Sequence, residues 1–232
     1  MRIVILQPSY LPWSGYFDQM FKSDAFVIYD DVQYDKHGWR NRNRIKTARG
    51  PQWLTVPVLI KGRNSPINRE VEINNTVSWQ TKHLRSIVQN YSKAPFFKPT
   101  LDLVQNILER QWRFLIDLNM AFIQMIVEQL GLDTKIYFSS ELKIPNAGKT
   151  ERLIEICRYF RADTFLEGDA GKEYIDERLF ARADVQLEYH GYQHPVYRQL
   201  HGDFIPYMSV IDLLFNHGAD SLGILTHQKA AS

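Results

Sequence analysis

The chain has 232 residues, a formal net charge of +2, 44% hydrophobic and 23% charged residues, and one cysteine. That composition excludes long disorder, an intramolecular disulfide, a cysteine-rich zinc site, and the bulk positive charge of a protein held to nucleic acid or a membrane surface. The apolar start is too short for a signal peptide, and no stretch approaches the about 20 apolar residues of a membrane span, so a cytoplasmic protein of one domain over 1–225, with a flexible tail at 226–232, is expected.

Residues 3–6 read as a buried strand, 16–23 as a helix, and 26–29 as a second buried strand ending at Asp30 and Asp31. A strand-helix-strand opening implies a right-handed parallel crossover, with ligands outside the carboxyl ends of the strands. Residues 53–59 and 69–73 alternate on either side of a turn-rich 62–66 and are expected to form an antiparallel hairpin or a sheet extension. Helices follow at 78–91 with Ser78 as N-cap, at 100–110 after a proline, and at 114–130 closed by Gly131; the helical insertion covers about 78–131. Alternation then resumes: strand 135–138, helix 150–160, strand 164–166, helix 172–181, strand 185–189 and helix 209–216. The expected fold is α/β, a mainly parallel sheet with flanking helices, an antiparallel hairpin and an inserted helical block.

The turn "QPSYLPWSGYF", residues 7–17, holds two prolines, a glycine and four aromatic rings. Tyr10, Trp13, Tyr16 and Phe17 supply rigid walls and Gln7 and Ser9 uncharged hydrogen-bonding groups, which suits either a ligand site or a plug for the end of the sheet. In "DDVQYDKHGWRNRNRIKT", residues 30–47, Arg40, Arg42 and Arg44 recur at period two between Asn41 and Asn43. An extended chain would place the guanidinium groups on one face, where their forks match phosphate or carboxylate oxygens; the alternative is a solvated loop paired with Asp30, Asp31 and Asp35.

Trp79, Lys82 and His83 fall at i, i+3 and i+4 of a helix and would present an aromatic wall, a cation and an imidazole together, unless His83 is merely hydrogen-bonded structure. "EGDAGKEY", residues 167–174, follows a strand, and its Gly168 and Gly171 allow backbone N–H groups to converge on an anion beside Lys172; a plain turn is the other reading. The Ala-Gly-Lys-Thr run at 147–150 is not a phosphate loop, because the required first glycine is Lys143 and Pro145 lies within the cradle; Thr150 reads as an N-cap. His190, His194 and His201 have no zinc-finger spacing and no metal site is assigned. Cys157 sits among apolar helix positions and reads as core.

The stretches 7–17 and 30–47, with "LTVPV" at 54–58, "SWQTKH" at 78–83, "EGDAGKEY" at 167–174 and "SVIDLLFNHG" at 209–218, resemble the WbqC-like family in order along the chain. The resemblance implies a place among bacterial surface-polysaccharide and O-antigen functions, and a transferase passing a glycyl or other acyl group to an amino sugar. Two positions depart from it: Leu6, where relatives carry histidine, and Glu167, where they often carry serine. On this reading Arg40, Arg42 and Arg44 hold an anionic nucleotide-sugar or activated acyl donor, and Tyr10, Trp13 and Trp39 stack on sugar or base. His83 or Asp31 takes the amine proton, with the Gly168 and Gly171 N–H groups facing the oxyanion. Nucleotidyl or adenylyl transfer and a non-catalytic nucleotide-sugar binding module are the alternatives. No cofactor is assigned and no nucleic-acid surface is expected, while an aminoacyl-tRNA donor and homo-oligomerisation stay open.

Overall fold

The computed structural model describes residues 1–36, 38–60, 62, 66–144 and 147–228. Its strands are β1 (Arg2–Leu6), β2 (Ala25–Ile28), β3 (Arg42–Thr47), β4 (Gly50–Thr55), β5 (Lys135–Phe138), β6 (Thr164–Glu167) and β7 (Gln186–Tyr189). Its α-helices are α1 (Ser14–Phe21), α2 (Trp79–Tyr91), α3 (Phe97–Leu108), α4 (Leu115–Leu130), α5 (Lys149–Tyr159), α6 (Glu177–Arg182), α7 (Val210–His217) and α8 (Ser221–Leu225). The chain divides into two compact units: Met1–Gln7, Asp18–Val32 and Asp133–Gln193 form the first, and Pro8–Phe17, Gln33–Leu132 and His194–Ser232 the second. Among the described residues no helix is long and apolar enough to cross a membrane.

The first unit is built on a five-stranded sheet in the order β5-β2-β1-β6-β7, with every neighbouring pair parallel. The three central strands, β2, β1 and β6, are short and mostly buried, as strands covered by helices must be. Ile3, Ile5, Val27 and Phe165 pack in one core cluster with Ile156 and Cys157 of α5. Burial pushes the Cys157 thiol up to about 12, so it stays a protonated core group. From β1 the chain adds β2 and then β5 on one side, and later β6 and β7 on the other. The direction of winding therefore reverses between β1 and β6, which makes the carboxyl ends of those strands the natural crevice for a ligand.

In the second unit β3 and β4 form an antiparallel hairpin in which Arg44 lies directly opposite Trp53. The hairpin turns at Gly50, whose φ of +98° suits glycine. Trp79, His83, Ile87 and Tyr91 form the buried stripe of α2, and α7 is buried along its whole length from a Ser209 cap that accepts from Ile211 N–H. Gly131 closes α4 in the left-handed conformation (φ +66°), as a helix-ending glycine does.

Several expectations are corrected. Segments 53–59 and 69–73 are not a hairpin; they meet at the single bridge Val58–Ile73, because Pro57 has no N–H to donate and Asn68–Glu70 coil into a short 3-10 helix. Helix α3 begins at Phe97 and takes Pro99 into its first turn, where a missing N–H loses no helical bond. The helix expected at 172–181 splits into a 3-10 helix, Asp169–Glu173, and α6, since the Asp176 carboxylate caps Arg178 N–H and starts a new helix. Thr150 is not a cap: Gly148 holds that position, and the Thr150 hydroxyl accepts from Asp176 N–H at 3.1 Å. Ser78 stands at the N-cap of α2 without a side-chain capping bond. The turn at 62–66, Pro145 in the rejected phosphate loop and the tail lie wholly or partly outside the described residues; of the tail, Thr226 and Gln228 still bond back to Leu222 and Gly223.

Candidate active site

In the second unit the opening turn is a plug around Tyr10 and a platform around Trp13. Tyr10 is fully buried, its hydroxyl 2.9 Å from His83 Nδ1 and its ring edge-on to Phe122. It therefore cannot stack on a ligand, and Ser9 is buried beside it. Burial holds the His83 imidazole down at about 4, so near neutral pH it is an uncharged hydrogen-bond partner rather than a ready base. Trp79 packs edge-on against it at 5.3 Å, while Lys82 is rotated off this buried stripe into solvent. The expected acid-base patch on α2 is thus core on one side and solvated on the other.

Trp13 stays half-exposed. Its indole covers Gly15 so closely that a Cβ there would lie 2.2 Å from the ring, and it lies against His194 at 5.1 Å and Tyr207 at 5.6 Å.

The arginine alternation is realised on β3. Asn41 and Asn43 turn inward and donate to Val56 and Leu11 carbonyls at 2.8 and 2.6 Å. Arg42 and Arg44 turn the other way. Arg42 lies 4.6 Å over Trp53 and Arg44 5.3 Å over Trp39, and the two indoles are 5.1 Å apart. Arg44 also donates to the Tyr207 carbonyl at 3.1 Å. Arg40 precedes the strand: its carbonyl accepts from Tyr10 N–H and Asn119 Nδ2, and its charge acts on the Tyr16 and Tyr34 phenols. Of the three guanidinium groups expected to form a clamp, Arg42 and Arg44 stack on the hairpin indoles, and Arg40 and Arg42 both act on the Tyr34 phenol.

In the first unit the acidic pair after β2 is fully engaged. Asp30 accepts from Ser140 N–H at 3.0 Å and Ser140 Oγ at 2.7 Å. Asp31 lies 2.6 Å from Ser139 Oγ and is ion-paired with Arg152 of α5, a partner not foreseen from sequence. Asp31 is a tether between the β2 end and α5, not the base assigned to it.

The loop after β6 also differs from expectation. Gly168 N–H donates to the Glu167 carboxyl at 2.9 Å, and Gly171 N–H donates to the Gly168 carbonyl at 2.9 Å, so neither faces an oxyanion. Gly171 makes room instead: a Cβ there would lie 2.3 Å from Glu167 Cγ. Lys172 pairs with Asp169 at 2.6 Å and lies over the Tyr189 ring. What the loop shelters is Glu167, 4% exposed at the carboxyl end of β6. Burial raises its carboxyl to about 7, against the smaller opposing effect of hydrogen bonds from Gly168 and Tyr174.

Beside it, at the end of β7, His190 N–H donates to the Glu167 carbonyl at 2.9 Å. The His190 ring is buried and its Nε2 lies 2.5 Å from Asp18 Oδ2 of α1, which also takes Lys22 Nζ at 2.6 Å. A carboxylate only accepts, so Nε2 carries the proton of this contact. Tyr192 stacks on the ring at 5.3 Å. Gln19 of α1 reaches the Leu166 carbonyl at 3.5 Å, and Gln7 stands half-buried at the end of β1. Glu167 and the His190–Asp18 pair thus lie at the adjoining ends of β6 and β7, beside the reversal point of the sheet, with the Glu167 side chain on the Tyr189 face and the His190 ring on the α1 face. Sequence reading missed all three as site residues; the usable signal was an acidic residue ending a buried strand just before glycine, and a histidine at the end of the next strand.

The sequence profile of the WbqC-like protein family matches residues 7–224. The chain is 42% identical over 224 residues to the uncharacterized protein Rv1507c of Mycobacterium tuberculosis, an alignment that covers 95% of each chain. No solved structure matches it.

Proposed function

The chain belongs to the WbqC-like protein family, and from that premise we propose that it is a transferase whose proton transfers are carried out by His190 and Glu167. The observation that carries this reading is the placement of the His190–Asp18 pair and the buried Glu167 carboxyl at adjoining strand ends beside the reversal point of the parallel sheet. The substrates are a small activated acyl donor, glycyl among them, and an amino sugar, in a cytoplasmic step of surface-polysaccharide synthesis.

The acceptor nitrogen attacks the acyl carbon while His190 Nδ1 takes a proton from it. Asp18 keeps the ring in the tautomer that leaves Nδ1 free to do so and stabilises the imidazolium. The bond from the acyl carbon to the donor's leaving atom breaks as Glu167, protonated in a large fraction of molecules near pH 7, supplies that atom's proton. A proton passed from His190 to Glu167 through solvent restores both. The reaction uses no protein nucleophile, which agrees with the buried, protonated state of Cys157.

A second reading, nucleotidyl or adenylyl transfer, is favoured by the strand order, which reads 3-2-1-4-5 when the parallel strands are counted in chain order, the arrangement of nucleotide-binding sheets. A thermal-shift panel of nucleotides, nucleotide-sugars and acyl or aminoacyl donors, followed by mass spectrometry of each stabilising pair with amino sugars, separates the readings. An acylated sugar whose formation drops about 100-fold in Glu167→Gln supports acyl transfer. Pyrophosphate release from a nucleoside triphosphate supports nucleotidyl transfer, and binding without turnover of any pair defeats both.

A further inference from the structure

The aromatic face of the β3–β4 hairpin in the second unit has chemistry of its own. Arg44 is half-buried, with one of its N–H groups on the Tyr207 carbonyl and its Nε without a hydrogen-bond partner among the described residues. A half-buried guanidinium with no carboxylate hydrogen-bonded to it among the described residues keeps donors in its fork for an anionic ligand. Tyr207, which holds that one contact, has a left-handed φ of +60° and is 49% exposed, a backbone conformation that surrounding structure must enforce. Directly across the hairpin, Trp53 is 43% exposed, a large indole left in solvent beside two stacked guanidinium groups.

We propose that this face is a nucleoside-phosphate site, with the phosphate on Arg44 and Arg42 and the base stacked on Trp53. Guanidinium forks match phosphate oxygens, and every base offers a π-face to an indole. A bare sugar fits less well, since the paired Trp39 and Trp53 ring faces offer its hydroxyls few partners. The site names a ligand class for the transfer reading and rests on that reading only for the use made of the ligand.

The test is quenching of tryptophan fluorescence in the full chain by uridine and adenosine 5′-diphosphates, with uridine and inorganic pyrophosphate as part-ligands. Both diphosphates bind with Kd below about 1 mM. Each part-ligand binds about tenfold more weakly. Arg44→Ala weakens the diphosphates about tenfold and Trp53→Ala about fivefold; Arg44→Lys, which keeps the charge without the fork, falls between wild type and Arg44→Ala. Glu167→Gln leaves these affinities within about twofold.

Absence of binding, or affinities unchanged in Trp53→Ala and in a folded Arg44→Ala or Arg44→Lys, overturns the site. Loss of binding in Glu167→Gln alone also overturns it, by moving the nucleotide to the first unit while leaving the transfer reading intact. Binding that depends on Arg44, combined with turnover indifferent to Glu167→Gln and His190→Asn, defeats the transfer reading and leaves this site standing. Equal affinity for glucose 1-phosphate and the diphosphates removes the stacked base from the proposal.

Discussion

The ends of β2 and β6 both carry buried carboxyl groups in the same unit, and they are opposite in kind. At the β2 end the four oxygens of Asp30 and Asp31 are met by Ser139, Ser140 and Arg152. At the β6 end Glu167 receives Gly168 N–H and Tyr174 but no ion pair among the described residues, and burial outweighs those hydrogen bonds, raising its carboxyl to about 7. Acidic residues at strand ends are therefore not diagnostic in themselves. Whether their charge is matched decides between a tether and a proton donor.

The comparison breaks most visibly at the tether. Asp31→Ala removes the carboxylate ion-paired with Arg152, whose side chain is 9% exposed, and should lower unfolding free energy by about 3 kcal/mol in urea titrations. Donor affinity measured on the folded fraction should hardly change.

Glu167→Gln sharpens the other side. Between its ordinary 4.5 and about 7 the native state binds a proton that the unfolded state has released, so Glu167 makes stability fall as pH rises through that window. Removing it should raise stability at pH 8 by about 2–3 kcal/mol relative to wild type, and by little at pH 4. His83 acts with the reverse sign: buried and neutral, with its titration lowered from 6.5 to about 4, it makes stability fall as pH drops through that range. The two slopes oppose each other in the wild type, and denaturation midpoints of Glu167→Gln should show the acid-side loss more steeply.

Gly171→Ala should destabilise by about 1–2 kcal/mol, because its methyl group would collide with the Glu167 side chain at 2.3 Å and meet Ile175 at 3.2 Å. Moving Glu167 should also shift the pH limb assigned to it, which a merely crowded turn would not do. The smallest effect is expected from His83→Gln, which keeps a hydrogen-bonding group beside the Tyr10 hydroxyl. It should cost about 1 kcal/mol and leave turnover within about twofold, since His83 is placed outside the proton-transfer set.

Much of the fold was legible because its determinants are local. Apolar runs at β1, β2, β5 and β6, glycine at the end of α4, and the alternation of arginine and asparagine on β3 each depend on a few neighbouring residues. The β3–β4 pairing was missed because cross-strand partners such as Arg44 and Trp53 are chosen by register, and the split at Asp176 because a capping carboxylate competed with helix continuation. The site was less legible for the same physical reason. His83 sits at the right spacing for a surface patch, but the helix turns that stripe inward. Asp31 meets Arg152, and Asp18 meets His190, only after distant segments fold together. No short spacing records such pairs.

The most direct test of the central claim is the pH dependence of turnover for the donor and acceptor pair identified by the thermal-shift panel, in wild type, Glu167→Gln and His190→Asn. The account predicts a wild-type limb near pH 7 that disappears in Glu167→Gln, with kcat reduced about 100-fold in each folded variant. Profiles and rates within about threefold of wild type in both variants would contradict a proton-transfer centre at the ends of β6 and β7.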